Sequence, residues 1–393
     1  MENNDIVIVS FARTPIGSFG GKLSSVPATK LGARAIQGCM EKIKLSKEYV
    51  DQVIMGNVLS AGLGQAPARQ AALYSGLDES VECLTINKMC GSGLKAIMLA
   101  QESILSGNAD VIIAGGMENM SLSPHLLQNS RNGNKMGDSK LIDSMINDGL
   151  WDVYNDKHMG SCGEMCAEKY SFTRNQQDEF AKNSYLKSQK AVNEGYFQDE
   201  IVSIEVLSKK ESIQINEDEE PFRVKFDKVS ALRPVFKKEG TITAANASTI
   251  NDGAAACIMM SLKKAQELNI KPIARIVSQA SFSQAPEWFT TAPVEAIKKT
   301  IEKAKLNINQ IGLFEINEAF SVVPMAAMKD LGIKSEIVNI YGGAVSLGHP
   351  IGASGARIIC TLLNGMNRNN IDIGLASLCI GGGEASAMIV ERI

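Results

Sequence analysis

Four short stretches of the 393-residue chain carry side chains able to do chemistry. In NKMCGSGLKAI, residues 87–97, Cys90 stands where a strand gives way to a helix, among small residues. The positive end of a helix dipole favours a thiolate, so this place predicts a lowered pKa and a nucleophile. In GGAVSLGHPIGASGAR, residues 342–357, His349 precedes Pro350 in a loop. A neutral imidazole there can take a thiol proton. In SLCIGGGEA, residues 377–385, Cys379 ends a strand and could itself move a proton. The three glycines after it offer amides to an anion or a carbonyl oxygen. In INEAFS, residues 316–321, Asn317 and Glu318 follow an apolar strand, where α/β enzymes keep their sites. Taken singly, each has a plain alternative. Cys90 and Cys379 can be packed thiols, His349 a turn histidine and Asn317 a helix cap. The joint pattern carries more weight, because all four stretches are expected at the C-terminal ends of strands.

The elements that would position them are legible as alternation. Short Val/Ile runs at 5–10, 52–58, 110–116, 274–278, 313–317 and 374–383 predict strands, and the spans 29–44, 92–106, 293–305 and 354–366 predict helices. This is an α/β pattern with buried sheets. An internal repeat overlies it. Ser92-Gly93-x-Lys95 matches Ser354-Gly355-x-Arg357, an offset of 262 residues, and Ile8-Val9-Ser10 matches Ile276-Val277-Ser278, an offset of 268. Two similar offsets predict duplicated halves related by a pseudo-twofold axis, which would bring the Cys90 and His349 loops together. Residues 121–249 lack the rhythm and read as an inserted, partly helical subdomain over the site. Its stretch NEDEEPFRVKFDK, 216–228, reads as solvated.

Composition narrows the function classes. Apolar residues make up 45% and charged residues 21%, as in globular proteins, and a net charge of −3 gives no support for nucleic-acid binding. No apolar run reaches the roughly 18 residues of a membrane span. The start, MENNDIVIV, has neither a signal nor a transit pattern, and VERI at the end is not a peroxisomal address, so a cytoplasmic protein is expected. Eight irregularly spaced cysteines do not make a disulfide framework. His158-x3-Cys162-x3-Cys166 has helical ligand spacing, yet no fourth ligand follows and Gly160 and Gly163 weaken the helix, so no metal site is expected.

The motifs together resemble the thiolase family from end to end: SFARTPIGSFGG (10–21), NKMCGSGLKA (87–96), AGGMENMS (114–121), HMG (158–160), TAANASTINDGAAA (243–256), INEAF (316–320), GGAVSLGHPIGASGAR (342–357) and CIGGG (379–383). The closest likeness is to the biosynthetic, acetoacetyl-CoA branch. The resemblance implies a duplicated, layered αβαβα fold. Its halves would span 1–120, completed by about 250–271, and 272–393, around a coenzyme A-binding insertion at 121–249. It implies reversible condensation of two acetyl-CoA to acetoacetyl-CoA and free coenzyme A by a ping-pong acyltransferase. A degradative 3-ketoacyl-CoA thiolase of broader chain length is the alternative, and a decarboxylating condensing synthase is disfavoured by Cys379 and the scarcity of histidine.

Carried over by position, the resemblance makes Cys90 the nucleophile, His349 its base and Cys379 a second acid and base. Asn317 would hold a water beside His349 at one oxyanion site, and the amides of Cys90 and Gly381 would form the other. Ser248, Arg223, His158, Met159, Ala319 and Phe320 would contact coenzyme A or its pantetheine arm. The resemblance further implies a homotetramer, a dimer of dimers, with no required cofactor. Three departures stand out. Tyr341 precedes Gly342-Gly343 where relatives often carry Asn. Glu384, read as lying near a helix start, follows the glycines where relatives often have Met or Gly. Pro221 stands about where the potassium-responsive branch has a Tyr, which withdraws support for potassium activation.

Overall fold

The structure is a computed structural model that describes residues 3–133, 135–207 and 211–393. Nine strands and eight helices carry the argument. The strands are β1 (Ile6–Arg13), β2 (Gln52–Gly56), β3 (Glu82–Ile86), β4 (Val111–Asn119), β5 (Asn251–Ser261), β6 (Ala274–Ser283), β7 (Leu313–Ile316), β8 (Ile373–Ile380) and β9 (Glu384–Arg392). The helices are α1 (Ala28–Ile43), α2 (Pro67–Tyr74), α3 (Ser92–Leu105), α4 (Met159–Tyr170), α5 (Arg174–Asn193), α6 (Ala292–Ala304), α7 (Val322–Leu331) and α8 (Ser354–Asn369). The expected strands and helices all occur, with β6 running five residues beyond its Val/Ile run.

With the two-residue strand Gly17–Ser18, these strands form one ten-stranded mixed sheet in the order β7-β8-β9-β6-β1-β5-β4-β2-β3. Read outward from the β1–β6 contact, the two sides repeat. In each, an antiparallel partner follows and then a parallel pair. The repeat extends to an irregularity. The register slips between Ile8 and Ser10 in β1 and between Ile276 and Ser278 in β6, at the residues matched by sequence. Such bulges sharpen local twist.

Alternation along the strands sorts side chains into layers. In β5, Ala255, Cys257 and Met259 face α3 and α8, while Ala256, Ile258 and Met260 face α1 and α2. In the other half, Ala376, Leu378, Met388 and Val390 face the central helices, and Leu375, Ala387 and Ile389 face the α6 layer. The helices α3 and α8 therefore lie back to back between two sheet halves. Their contact needs glycine. A Cβ on Gly93 would lie 2.7 Å from the Ala356 nitrogen, and one on Gly355 would lie 2.2 Å from that of Leu94. The matched glycines of the repeat are where the two helices meet.

Between β4 and β5 the described residues make three two-stranded ribbons and the helices α4 and α5. The solvated reading of 216–228 holds for its ends, where Asn216, Glu217, Asp227 and Lys228 are exposed, and is corrected in its middle. Asp218, Glu220 and Pro221 are buried. Asp218 accepts both Arg13 guanidinium nitrogens, at 2.7 and 2.8 Å, while Arg13 Nε donates to Glu200 at 2.6 Å. Removing one partner of such a buried pair typically costs about 3–5 kcal/mol, because the other charge is left unpaired. Glu384 likewise opens strand β9 and no helix. Among the described residues no helix is long and apolar enough to cross a membrane.

Candidate active site

The Cys90 turn is five residues long, Asn87–Gly91, between β3 and α3. Met89 takes a left-handed backbone with φ 47°, unusual for a side chain of its size. Ser92 closes the turn: its Oγ accepts the Lys88 amide at 2.8 Å and donates to the Met89 carbonyl at 2.7 Å. The thiol is half-buried and faces the Gly381 amide, which donates to it. The expected fall in pKa does not occur. Burial pushes the Cys90 thiol up to about 11, further than the donated amides pull it down. Loss of water outweighs the helix start, and at neutral pH the sulfur is a thiol.

His349 corrects a second expectation. It follows the one-turn helix Ala344–Leu347 and not a strand. In this half the counterpart of β3 shrinks to one bridge, Phe314 with Val338, and a long buried loop runs on to α8. Side chains from elsewhere hold that loop. Asn251 Oδ1 accepts the His349 amide at 2.8 Å, Glu118 accepts that of Gly352 at 2.9 Å, and Glu318 accepts that of Val345 at 3.1 Å. Burial lifts Glu118 to about 7, against the amides it accepts.

The imidazole Nδ1 lies 2.6 Å from Ser354 Oγ, and that hydroxyl lies 2.9 Å from the Pro350 carbonyl. A carbonyl can only accept, so the Ser354 proton goes to Pro350 and its oxygen accepts Nδ1–H. This assignment, made from the hydrogen-bond pattern, leaves the lone pair on Nε2. That atom is buried with no partner among the described residues. Burial, with the Arg357 charge adding, pushes His349 down to about 3, so the ring is neutral.

Asn317 emerges from β7 with its amide 3.5 Å from the imidazole, and its Oδ1 has no partner among the described residues. Cys379 is fully buried near the end of β8, packed with Met159, Phe320 and Cys166. Burial pushes its thiol up, and the neighbouring Cys90 adds to the rise.

Cys90, His349 and Gly381 line one cavity of about 280 Å³, and Asn317 and Cys379 sit immediately behind it. The walls are apolar, with Met120, Leu150, Phe236 and Phe289 among them, none of which the sequence reading singled out. Ser248, His158, Met159, Ala319 and Phe320 also line it. The Ser248 amide donates to the Ala319 carbonyl at 3.0 Å, joining the insertion to the Asn317 loop. His158 stacks on Phe236 with centroids 4.7 Å apart, and its Nδ1 accepts the Gly160 amide at 3.0 Å, capping α4. Arg223 is not brought to this cavity; its side chain is exposed and 4.0 Å from Glu220. Asn251, Glu118 and Ser354 are supporting residues that sequence reasoning left without a role. All three lay inside quoted motifs, and the repeat had already marked Ser354.

A half-buried thiol beside the Gly381 amide and a neutral imidazole with a free lone pair are the groups an acyl transfer needs, set on a duplicated α/β scaffold. Family models agree: the thiolase N-terminal domain matches residues 6–263 and the thiolase C-terminal domain residues 270–392. The chain belongs to the thiolase family. It is 48% identical over 395 residues to an acetyl-CoA acetyltransferase of Schizosaccharomyces pombe, with all of both chains covered. Against that of Cupriavidus necator it is 49% identical over 390 residues, covering 99% of each. Among solved structures, the Bacillus anthracis acetyl-CoA acetyltransferase superposes with a TM-score of 0.97 at 37% identity, covering 99% of each chain. The Ascaris suum Acat5 thiolase in complex with coenzyme A gives 0.94 at 42% identity, covering 99% of this chain and 100% of that one.

Proposed function

We propose that this thiolase is an acetyl-CoA C-acetyltransferase that condenses two acetyl-CoA to acetoacetyl-CoA and coenzyme A. The observation that carries the reading is the convergence of Cys90, His349 and Gly381 on one apolar cavity with Cys379 beside it. The full-length relatives named for this activity support it.

In the first half-reaction His349 Nε2 takes the Cys90 proton as the sulfur attacks the acetyl thioester. The C–S bond to coenzyme A breaks, and the departing thiolate takes the Cys379 proton. Acetyl-Cys90 is left beside a Cys379 thiolate and a His349 imidazolium, opposite charges that stabilise each other. In the second half-reaction Cys379 removes a proton from C2 of another acetyl-CoA. The enolate carbon attacks acetyl-Cys90, the new C–C bond forms and the C–S bond breaks. The proton on His349 then returns to Cys90. The thioester oxygen would face the Gly381 and Cys90 amides, and the enolate oxygen His349 and Asn317. One lost donor of this kind costs about 10²–10³ in rate. No step transfers electrons, so the reading needs no redox cofactor, and it gives the stabilisation of both oxygens to hydrogen-bond donors and not to a metal. Pro221 in place of the Tyr leaves potassium activation without its expected ligand.

Ser248, His158, Met159, Ala319 and Phe320 are assigned to the acyl and pantetheine end, and Arg223 to the phosphates of a coenzyme A running out over the insertion. A cytoplasmic homotetramer acting in lipid metabolism is part of the same reading. The test is intact-protein mass spectrometry after brief exposure to acetyl-CoA. An acetyl adduct on Cys90, absent from Cys90→Ala, is expected. An adduct elsewhere, or none, overturns the proposal.

A further inference from the structure

Glu384 takes no part in the chemistry just described, yet it reaches the turn that does. It sits at the first position of β9, opposite Ile380 of β8 across the hairpin that carries Gly381. Its carboxylate pairs with Lys88 Nζ, and both side chains are about a quarter to a third exposed, at 32% and 26%. Lys88 lies two residues before Cys90. Its backbone is fixed to Ser92, and a backbone bridge joins Lys88 to Cys90 across the left-handed Met89. Gly91 lies directly against the Ile380 side chain. Two turns therefore face each other, one holding the thiol and one holding the amide that donates to it. Besides that donated amide, the Gly91–Ile380 contact and the Lys88–Glu384 pair tie the two turns together, and the Met89 side chain lies next to Gly381.

We propose that Lys88 and Glu384 are a positioning pair, which holds the strained Cys90 turn against the hairpin so that the Gly381 amide stays aimed at the reacting centre. The inference rests on the reading of Cys90 as the acylated residue. Glu384 is anchored on a ladder and Lys88 on a turn that includes a left-handed non-glycine residue, so the pair restrains the looser side against the stiffer one. Partly exposed ion pairs are worth little to global stability. Small misplacements near reacting atoms, in contrast, weigh heavily on rate. The pair should thus show in turnover and not in folding.

The experiment measures the Cys90 acetylation rate constant, KM and Tm for the wild type, Glu384→Met, Lys88→Met and the charge-swapped Lys88→Glu/Glu384→Lys. Each single variant is expected to acetylate about 3- to 10-fold more slowly, with KM and Tm unchanged. The swap should recover to within about twofold. High salt, about 1 M KCl, should slow the wild type toward the Glu384→Met rate and leave Glu384→Met itself unaffected. Single variants as fast as the wild type, or a swap as slow as the singles, overturn the proposal. A wild type that acquires no acetyl group on Cys90 would instead overturn the parent reading, so the two failures are distinct.

Discussion

Ser92 and Ser354 hold the same place at the starts of the two central helices, and each follows a loop that ends at the cavity. In the first half the hydroxyl is spent inside its own turn, on the Lys88 amide and the Met89 carbonyl. In the second it lies between the Pro350 carbonyl and the His349 ring, where it selects the tautomer. The loops differ in the same sense. A strand and a five-residue turn deliver Cys90, whereas a single bridge and a long loop deliver His349, with Asn251, Glu118 and Glu318 holding it from outside. The duplicated part is the scaffold, back-to-back helices between two sheet halves. Divergence has gone into the loops at its end. One half supplies a sulfur on a short turn, and the other an imidazole whose orientation is built from side chains.

The contrast can be broken most forcefully at the base. His349→Ala should slow Cys90 acetylation by about 10²–10⁴, read by rapid-quench mass spectrometry. Its pH profile should also change shape. In the wild type the ring loses its proton as pH rises through about 3, and the thiol loses its own only through about 11. The rate should therefore be flat across the neutral range, with no inflection near the usual histidine value of about 6.5. Without the imidazole, only the rare thiolate reacts, so the rate should climb about tenfold per pH unit. An inflection near 6.5 in the wild type would mean a ring far wetter than the structure has it. The serines come next. Ser354→Ala should lower the acetylation rate about tenfold, by freeing the ring to take either tautomer, and lower stability by about 1 kcal/mol through the lost bond to the Pro350 carbonyl. Ser92→Ala should leave the rate near wild type and lower stability by about 1 kcal/mol, seen in urea unfolding. Equal effects of the two changes would erase the distinction between the halves. The smallest difference is expected where the halves are alike. Gly93→Ala and Gly355→Ala should each destabilise by about 1–3 kcal/mol, since each Cβ meets the backbone of the opposite helix.

The scaffold was readable because burial writes itself as period. The Val/Ile runs gave β1, β4 and β8, and the Ser-Gly repeat gave the helices that touch. The site was readable where a motif names its own residue, as at Cys90, His349 and Gly381. Three things were not. The Cys90 pKa went the other way, because a sequence shows that a helix begins but not how much water is lost around the sulfur. The grip of Asn251 on the His349 amide joins residues 98 positions apart and follows no period. Asp218 and Glu220 looked solvated because a run of carboxylates usually is, and only the fold reveals Arg13 beneath the first and the Asn251 amide beside the second.

The insertion leaves the sheet at Asn119 and rejoins it at Asn251, whose neighbour Asp252 is the direct partner of Asn119 on the adjacent strand. The segment is thus a detour that starts and finishes at one spot. Changing its length asks only for a slightly different closure, whose penalty grows slowly with the number of residues. It contributes Leu150, Met159, Phe236 and Ser248 to the cavity but neither the two facing thiols, Cys90 and Cys379, nor the His349 imidazole. Descendants of this architecture can accordingly reshape which acyl chains they admit by editing the detour, while the reacting constellation is inherited untouched.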